Sequence, residues 1–307
     1  MKKYLFQFLL VTATVFSGCL FAQQDPQYSQ YMFNPLAINP AYAGSRDMLN
    51  GALEFRKQWV GFDGAPTTMV LALNTPSKKG KTGFGFEVIN DQIGPKNTTG
   101  GYLDYAYRIP IGKGKLAFGL GAGVMSYKLN WDKVTYRDNA DGYSQLGTVN
   151  ITKPDFKFGM YFNNKKFYTG LSITHLNREE YAVVQDSIRF SAKMFPHAFF
   201  TLGRAFQIAD NVVFSPSIMV RGVKQTGTAD LNLNFCFKNA LWLGVSLQSE
   251  HAVVAMIQYN ITNHFKVGYS YDMTLGKFKT YQSGSHEIVL GFDFNLFQSQ
   301  VLSPRYF

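Results

Sequence analysis

Residues 285–297 read SHEIVLGFDFNLF. Ile288, Leu290, Phe292, Phe294 and Leu296 share one parity, while Glu287, Gly291, Asp293 and Asn295 share the other. A period of two is that of a β-strand with one apolar and one polar face. The alternation returns at 230–238, where Leu231, Leu233, Phe235 and Phe237 oppose Asp230, Asn232, Asn234 and Lys238. It returns again at 265–273, with Phe265, Val267, Tyr269, Tyr271 and Met273 against Lys266, Gly268, Ser270 and Asp272.

Working outward, runs of this kind fall near 48–59, 66–75, 82–92, 99–110, 115–131, 154–162 and 167–177. The series continues at 193–208, 212–223, 230–238, 241–249, 252–261, 265–275 and 285–296, which makes 14 in all. No helix-period segment competes and no Pro/Ser-rich or charged linker splits the series, so the chain reads as one domain. With the first strand rising from the periplasm, the connections 76–81, 111–114, 163–166, 209–211, 239–240 and 262–264 are its short turns. The two longest connections, 132–153 and 178–192, then both lie on the opposite side.

Apart from the N-terminus, no apolar run reaches the roughly 18–20 residues that a spanning helix needs. The chain is rich in Phe, Tyr and Gly and only 16% charged. Its polar parity is mostly Gly, Ser, Thr and Asn, which suits a narrow, hydrated or plugged lumen better than a soluble surface. The fold expected is therefore all-β: a transmembrane antiparallel up-and-down β-barrel of about 14 strands. Trp59 and Trp131 near upper strand ends and Trp242 near a lower one fit an interfacial aromatic belt.

The chain opens MKKYLFQFLLVTATVFSGCLFAQQ, with a basic end, a short apolar run and Leu20-Phe21-Ala22 before Gln23. That is the layout of an export signal over 1–22. Phe16-Ser17-Gly18-Cys19 also resembles a lipobox that lacks its usual Leu, and would leave a lipidated Cys19. The barrel is expected over 48–297, with a polar tail at 298–307. Either the assembly signal is internal, around Gly291 to Leu296, or Arg305-Tyr306-Phe307 serves separately. Cys236 has no partner once Cys19 leaves, and it reads as a thiol packed in the wall.

Between signal and barrel lies 23–47, which contains FNPLAINPAYAGS at 33–45. Two Asn-Pro pairs break this apolar stretch, since proline removes a donor and pushes its predecessor toward extended geometry. An apolar chain of this length left in water is costly. The expectation is a plug folded in or across the periplasmic mouth, anchored by Phe33, Leu36, Ile38 and Tyr42. Its prolines keep it off the strand edges.

No chemistry stands out. His175, His197, His251, His264 and His286 fall in no metal-ligand spacing, and each reads as a satisfied or interfacial side chain. Gly119-Leu120-Gly121-Ala122-Gly123 alternates in strand period and reads as close packing in the wall. No nucleophile elbow, phosphate loop or dinucleotide fingerprint occurs, so no catalytic site, cofactor or metal is expected. Glu179-Glu180 reads as a solvated loop pair, and Asp186-Ser187-Ile188 as a short glycosylation-like pattern. The +10 charge collects at Lys78, Lys79, Lys81, Lys113, Lys115, Lys165, Lys166 and Lys238, in or beside the short turns. Such a rim can attract acidic periplasmic partners, and nucleic acid is no partner for an exported barrel.

QDPQYSQYMFNPLAINPAYAGS at 24–45, FRKQWVGFDGAPTT at 55–68, SHEIVLGFDF at 285–294 and SPRYF at 303–307 resemble the PorP/SprF family of type IX secretion proteins of Bacteroidota. The resemblance implies an outer-membrane barrel, with both termini periplasmic, serving type IX secretion and gliding. It implies two kinds of protein partner: secreted cargo with a type IX C-terminal domain, such as surface adhesins, and periplasmic components of the machinery. Outer-membrane lipid surrounds the wall. By resemblance, Asn34, Pro35, Asn39, Pro40, Tyr42, Ala43, Gly44, Arg56, Gln58 and Trp59 are signature positions. The expected role is a non-enzymatic accessory to export or surface anchoring. The competing reading is a passive pore for small solutes.

Overall fold

The computed structural model describes residues 25–136, 147–177, 180–185, 188–224, 226–249 and 252–296, with the side chains of 178–192 left aside. β1 (Leu49–Lys57), β2 (Thr67–Pro76), β3 (Thr82–Ile93), β4 (Lys96–Ile111) and β5 (Gly114–Asn130) follow one another as antiparallel neighbours. β6 (Thr148–Asn163) and β7 (Phe167–Thr174) extend the series. β8 (Glu180–Gln185) and β9 (Ile188–Lys193) form a separate two-stranded sheet. β10 (His197–Arg204), β11 (Phe206–Ala209), β12 (Val212–Val223) and β13 (Thr226–Phe237) come next. β14 (Leu241–Gln248), β15 (Ala252–Asn260), β16 (Phe265–Thr274) and β17 (Ser285–Phe294) complete the wall.

The sheet closes on itself. β1 pairs with β17, with Leu49 opposite Phe294 and Lys57 opposite His286. β10 joins β7 on one side and β12 on the other. Fourteen antiparallel strands make the barrel, and β11 prolongs β10 along β12. The break at Arg204–Ala205 falls where the register of β12 brings up Pro216, which has no N–H to offer.

The alternation decides what each face meets. Leu103 on β4 is 68% exposed and Leu120 on β5 is 60% exposed, as expected of side chains that face lipid. Phe84 and Phe86, Leu243 and Val245, Ile288 and Leu290 point the same way on their strands. Inward positions are buried and more charged than the sequence suggested: Glu54, Arg56, Glu87, Asp104, Lys157, Asp272 and Glu287 are all shielded.

Several strands outrun their apolar alternation. β4 begins at Lys96, β6 at Thr148 and β13 at Thr226, each earlier than the pattern predicts. These extra residues are mostly Thr, Asn, Lys and Gly, and the larger exceptions Val149 and Ile151 share the inward parity of Asp155 and Lys157, so the ladder continues there without a lipid-facing apolar parity. One end of the barrel carries the short connections 77–81, 112–113, 164–166, 210–211, 238–240 and 261–264, and is called here the turn end. The opposite, loop end carries the connections 131–147 and 175–196, the two longest between barrel strands.

Candidate functional site

The fold surrounds residues 25–48, which thread the lumen before β1 starts. Three single-turn 3-10 helices shape this path: Tyr31–Phe33, Pro35–Ala37 and Pro40–Tyr42. The prolines work differently from the expectation. Each sits at the first helical position, where its missing N–H costs nothing, and the Asn before it adopts a non-helical geometry. Asn39 caps the last turn by accepting the Ala41 N–H at 2.9 Å.

The direction of travel corrects one expectation. The segment does not begin at the mouth where β1 begins. Asp25 lies beside His175 at the loop end, and the chain then descends to Asp47 at the turn end. Polar anchors impose this course, because buried backbone N–H groups must find acceptors. Near the top, the Glu287 carboxylate accepts the Ser29 N–H at 2.9 Å and the Gln30 N–H at 2.8 Å. Arg56 clamps the same group from β1: its guanidinium lies 2.9 Å from Glu287 and 2.6 Å from Asp272, and donates to Ser29 Oγ at 2.7 Å. At the bottom, Asp47 meets Arg108 at 2.8 Å and Lys115 at 3.0 Å, while Arg46 meets Asp293 at 3.1 Å.

Apolar and backbone contacts fill the middle. Leu36, Ala41 and Ala43 are fully shielded, Ile38 and Tyr42 nearly so. Tyr42 packs edge-on against Tyr161 at 5.4 Å, and half-buried Phe33 packs against Trp242 at 6.1 Å. Asn34 donates to Glu54 at 3.4 Å. Asn39 donates to the Met160 carbonyl at 3.0 Å and the Leu171 carbonyl at 3.4 Å. Two wall glycines exist for this contact: a methyl at Gly83 would overlap the Ala43 carbonyl, and one at Gly119 would overlap the backbone of Pro40–Ala41. Gly44, at φ +70°, makes the bend out of the lumen, and its N–H donates to Asn74 at 3.2 Å. Asn39→Ala removes the cap and both carbonyl contacts, so the seated state should weaken by about 1–3 kcal/mol. Faster amide exchange at Ala41–Ala43, with β5 and β6 still protected, is the expected readout.

Beneath Asp25 the lumen holds a cavity of about 40 Å³, reached by Tyr28, Ile38, Glu87, Tyr102 and Lys157. The Lys157 ammonium lies 2.9 Å from Glu87 and 3.9 Å from the Tyr102 ring centre. A larger recess, about 370 Å³, opens at the loop end between Arg56, Gln58, Trp59, Asp272 and Phe278. Gln58 closes the β1–β2 connection by donating to the Pro66 carbonyl at 2.9 Å. Trp59 packs edge-on against Phe278 at 5.2 Å. Trp242 departs from the belt expectation: it shares the inward parity with Cys236 and Gln258 and is buried beside them. Cys236 is a free, buried thiol.

The predicted basic rim is spread round the turn end. Lys78, Lys79, Lys81, Lys113, Lys165, Lys166 and Lys238 are exposed there, while Lys115 turns half inward to Asp47. Glu179, Asp186, Ser187, Cys19 and Arg305 to Phe307 lie outside the described residues, and the side chain of Glu180 is not described.

The structure also assembles a group that sequence spacing hid. Asp25, His175 and His197 converge at the loop end, the two imidazole centres 5.6 Å apart. Asp25 lies 2.7 Å from His175 Nε2, and Asp155 lies 2.5 Å from His175 Nδ1. Burial disfavours the charged imidazole, but these two carboxylates outweigh it and lift His175 to about 10. Burial likewise pushes the Asp25 carboxyl up, and the facing His175 holds it well below the usual carboxylate range instead.

A family model described as "Type IX secretion system membrane protein PorP/SprF" matches residues 20–292. No curated protein matches the chain. Among solved structures, the toluene transporter TbuX of Ralstonia pickettii is similar at 10% identity and a TM-score of 0.51, over 84% of this chain and 92% of that one. The P. putida toluene transporter TodX is similar at 10% identity and a TM-score of 0.47, over 87% and 95%. The translocator domain of the autotransporter NalP from Neisseria meningitidis is similar at 11% identity and a TM-score of 0.43, over 81% and 88%. The likeness to TbuX is one of barrel fold.

Proposed function

We infer the function from the fact that this chain belongs to the PorP/SprF family of type IX secretion system membrane proteins. Its place is the outer membrane and its role lies in type IX secretion. Within that role we read it as a non-enzymatic accessory that helps export or surface-anchor specific cargo such as adhesins. Its periplasmic side docks to the machinery. The single observation that carries this reading is the occupied lumen. Residues 25–48 contact the wall from the loop end to the turn end, through ion pairs of Asp25, Arg46 and Asp47, amide bonds to Glu287 and the buried apolar packing of Leu36 to Ala43. A passive pore for small solutes needs a lumen open from end to end, and this obstruction argues against one.

We assign the turn end to the periplasm, because short connections face that side in outer-membrane barrels and long ones face out. The exposed lysines then offer a basic rim to acidic surfaces of the machinery. Reversing Lys78, Lys79, Lys165 and Lys166 to Glu should weaken co-purification of periplasmic components, and wild-type association should fall with added salt. Unchanged recovery at all ionic strengths would remove the rim from the account.

The reading as a whole is tested in the native cell by deleting the gene and taking inventory of the surface. We expect specific surface proteins bearing a type IX C-terminal domain to disappear, and small-solute uptake to stay as it was. An intact surface inventory together with impaired uptake would favour the passive pore.

A further inference from the structure

We propose that Asp25, His175 and His197 form a binding site for a divalent transition ion of the zinc class, which latches the start of the luminal segment to the loop end of the wall. Among the described residues, their ligand atoms lie within 4.8 Å of one another. Asp25 stands 2.7 Å from His175 Nε2 and 3.6 Å from His197 Nδ1. Tetrahedral zinc, with bonds of about 2.0–2.1 Å, sets its ligand atoms about 3.3 Å apart. The Asp25–His175 pair therefore needs to open by only a fraction of an ångström, and the Asp25–His197 pair to close by less, to admit the ion.

The donors suit that ion and the surroundings are built to hold them. Two imidazoles and one carboxylate leave a fourth position open, and imidazole ligands select zinc-class ions over calcium or magnesium. Zinc-binding histidines generally pass their other ring N–H to a carboxylate or a carbonyl. Here Asp155 sits 2.5 Å from His175 Nδ1, and is itself fixed by the Tyr102 hydroxyl at 2.5 Å and the Phe156 N–H at 2.8 Å. His197 Nδ1, the nitrogen facing Asp25, lies 2.9 Å from the Phe195 carbonyl, a contact that the ion would replace. Both histidines are buried, so their rings cannot swing freely into solvent. His175 follows β7 and His197 opens β10, two paired strands, whereas Asp25 belongs to the luminal segment. A bound ion would bridge wall and segment and release a proton as it entered.

The test uses the full mature chain in detergent, stripped with chelator, dialysed, and titrated with ZnCl₂ by calorimetry. CoCl₂ serves as a spectroscopic probe. We expect one ion per barrel and a tetrahedral cobalt spectrum. Asp155→Asn keeps all three ligands but should weaken binding 10- to 100-fold. His175→Ala/His197→Ala should abolish the spectrum, with barrel folding checked by heat-modifiable gel migration. If that pair fails to migrate as a folded barrel, His197→Gln alone should still remove the tetrahedral signal. No zinc binding by the wild type, or an undiminished signal in the folded histidine variants, overturns the proposal.

Discussion

Replacing Arg56 with Leu is expected to unseat residues 25–33 while the barrel itself stays folded. Arg56 neutralises Asp272 and Glu287 at 2.6 and 2.9 Å, all three side chains being buried. Removing one partner of a buried ionic group leaves the others charged in a low dielectric, at a cost of about 3–5 kcal/mol. That cost falls on the segment first, because Glu287 is also the acceptor for the Ser29 and Gln30 amides. The strand ladders of β1 with β2 and β17 do not depend on it. Exchange at Ser29 and Gln30 should rise steeply and protease should cut between 27 and 34. Adding Glu287→Gln to Arg56→Leu should recover part of the loss, since one orphaned charge is gone. Full protection of Ser29 and Gln30 in Arg56→Leu would show that the clamp is ornamental.

A second large effect should come from Gly119→Leu. The position faces inward on β5, and even a methyl there would collide with the Ala41 backbone rather than with a movable side chain. Leucine keeps the backbone N–H and C=O that the β5 ladder uses, so the wall can accept it, while the 3-10 turn at Pro40–Tyr42 cannot. Burial of Leu36, Ala41 and Tyr42 would be lost together, a penalty of several kcal/mol on large-to-small precedent. Leu120→Val, one residue along and facing lipid, should leave the segment seated. Limited proteolysis of both variants makes the comparison. Equal resistance would mean that the segment does not rest on Gly119.

How much of this was readable beforehand depends on what each residue answers to. The lipid answers to parity alone, so Ile288, Leu290 and Phe292 announced β17 and the same logic located every barrel strand. Where strands leave the apolar layer, as at Lys96–Thr98 and Thr226–Ala229, nothing alternates and the pattern stops short. Trp242 was legible too, since it shares the polar parity of Gly244, Ser246 and Gln248 on its own strand. The apolar run 33–45 correctly predicted a segment that needs cover. Its direction was not readable, because Glu287, Arg56 and Arg108 set it from strands distant in sequence. Asp25, His175 and His197 come from three separate stretches, so no local spacing could join them.

The central claim is that this barrel is closed by its own N-terminal segment and serves secretion without being a solute channel. Single-channel recording in a planar bilayer tests it most directly, on the mature protein beside a variant lacking residues 24–45. The account predicts a silent wild type and a steadily conducting deletion variant. A wild type that conducts as freely as the deletion variant would contradict it.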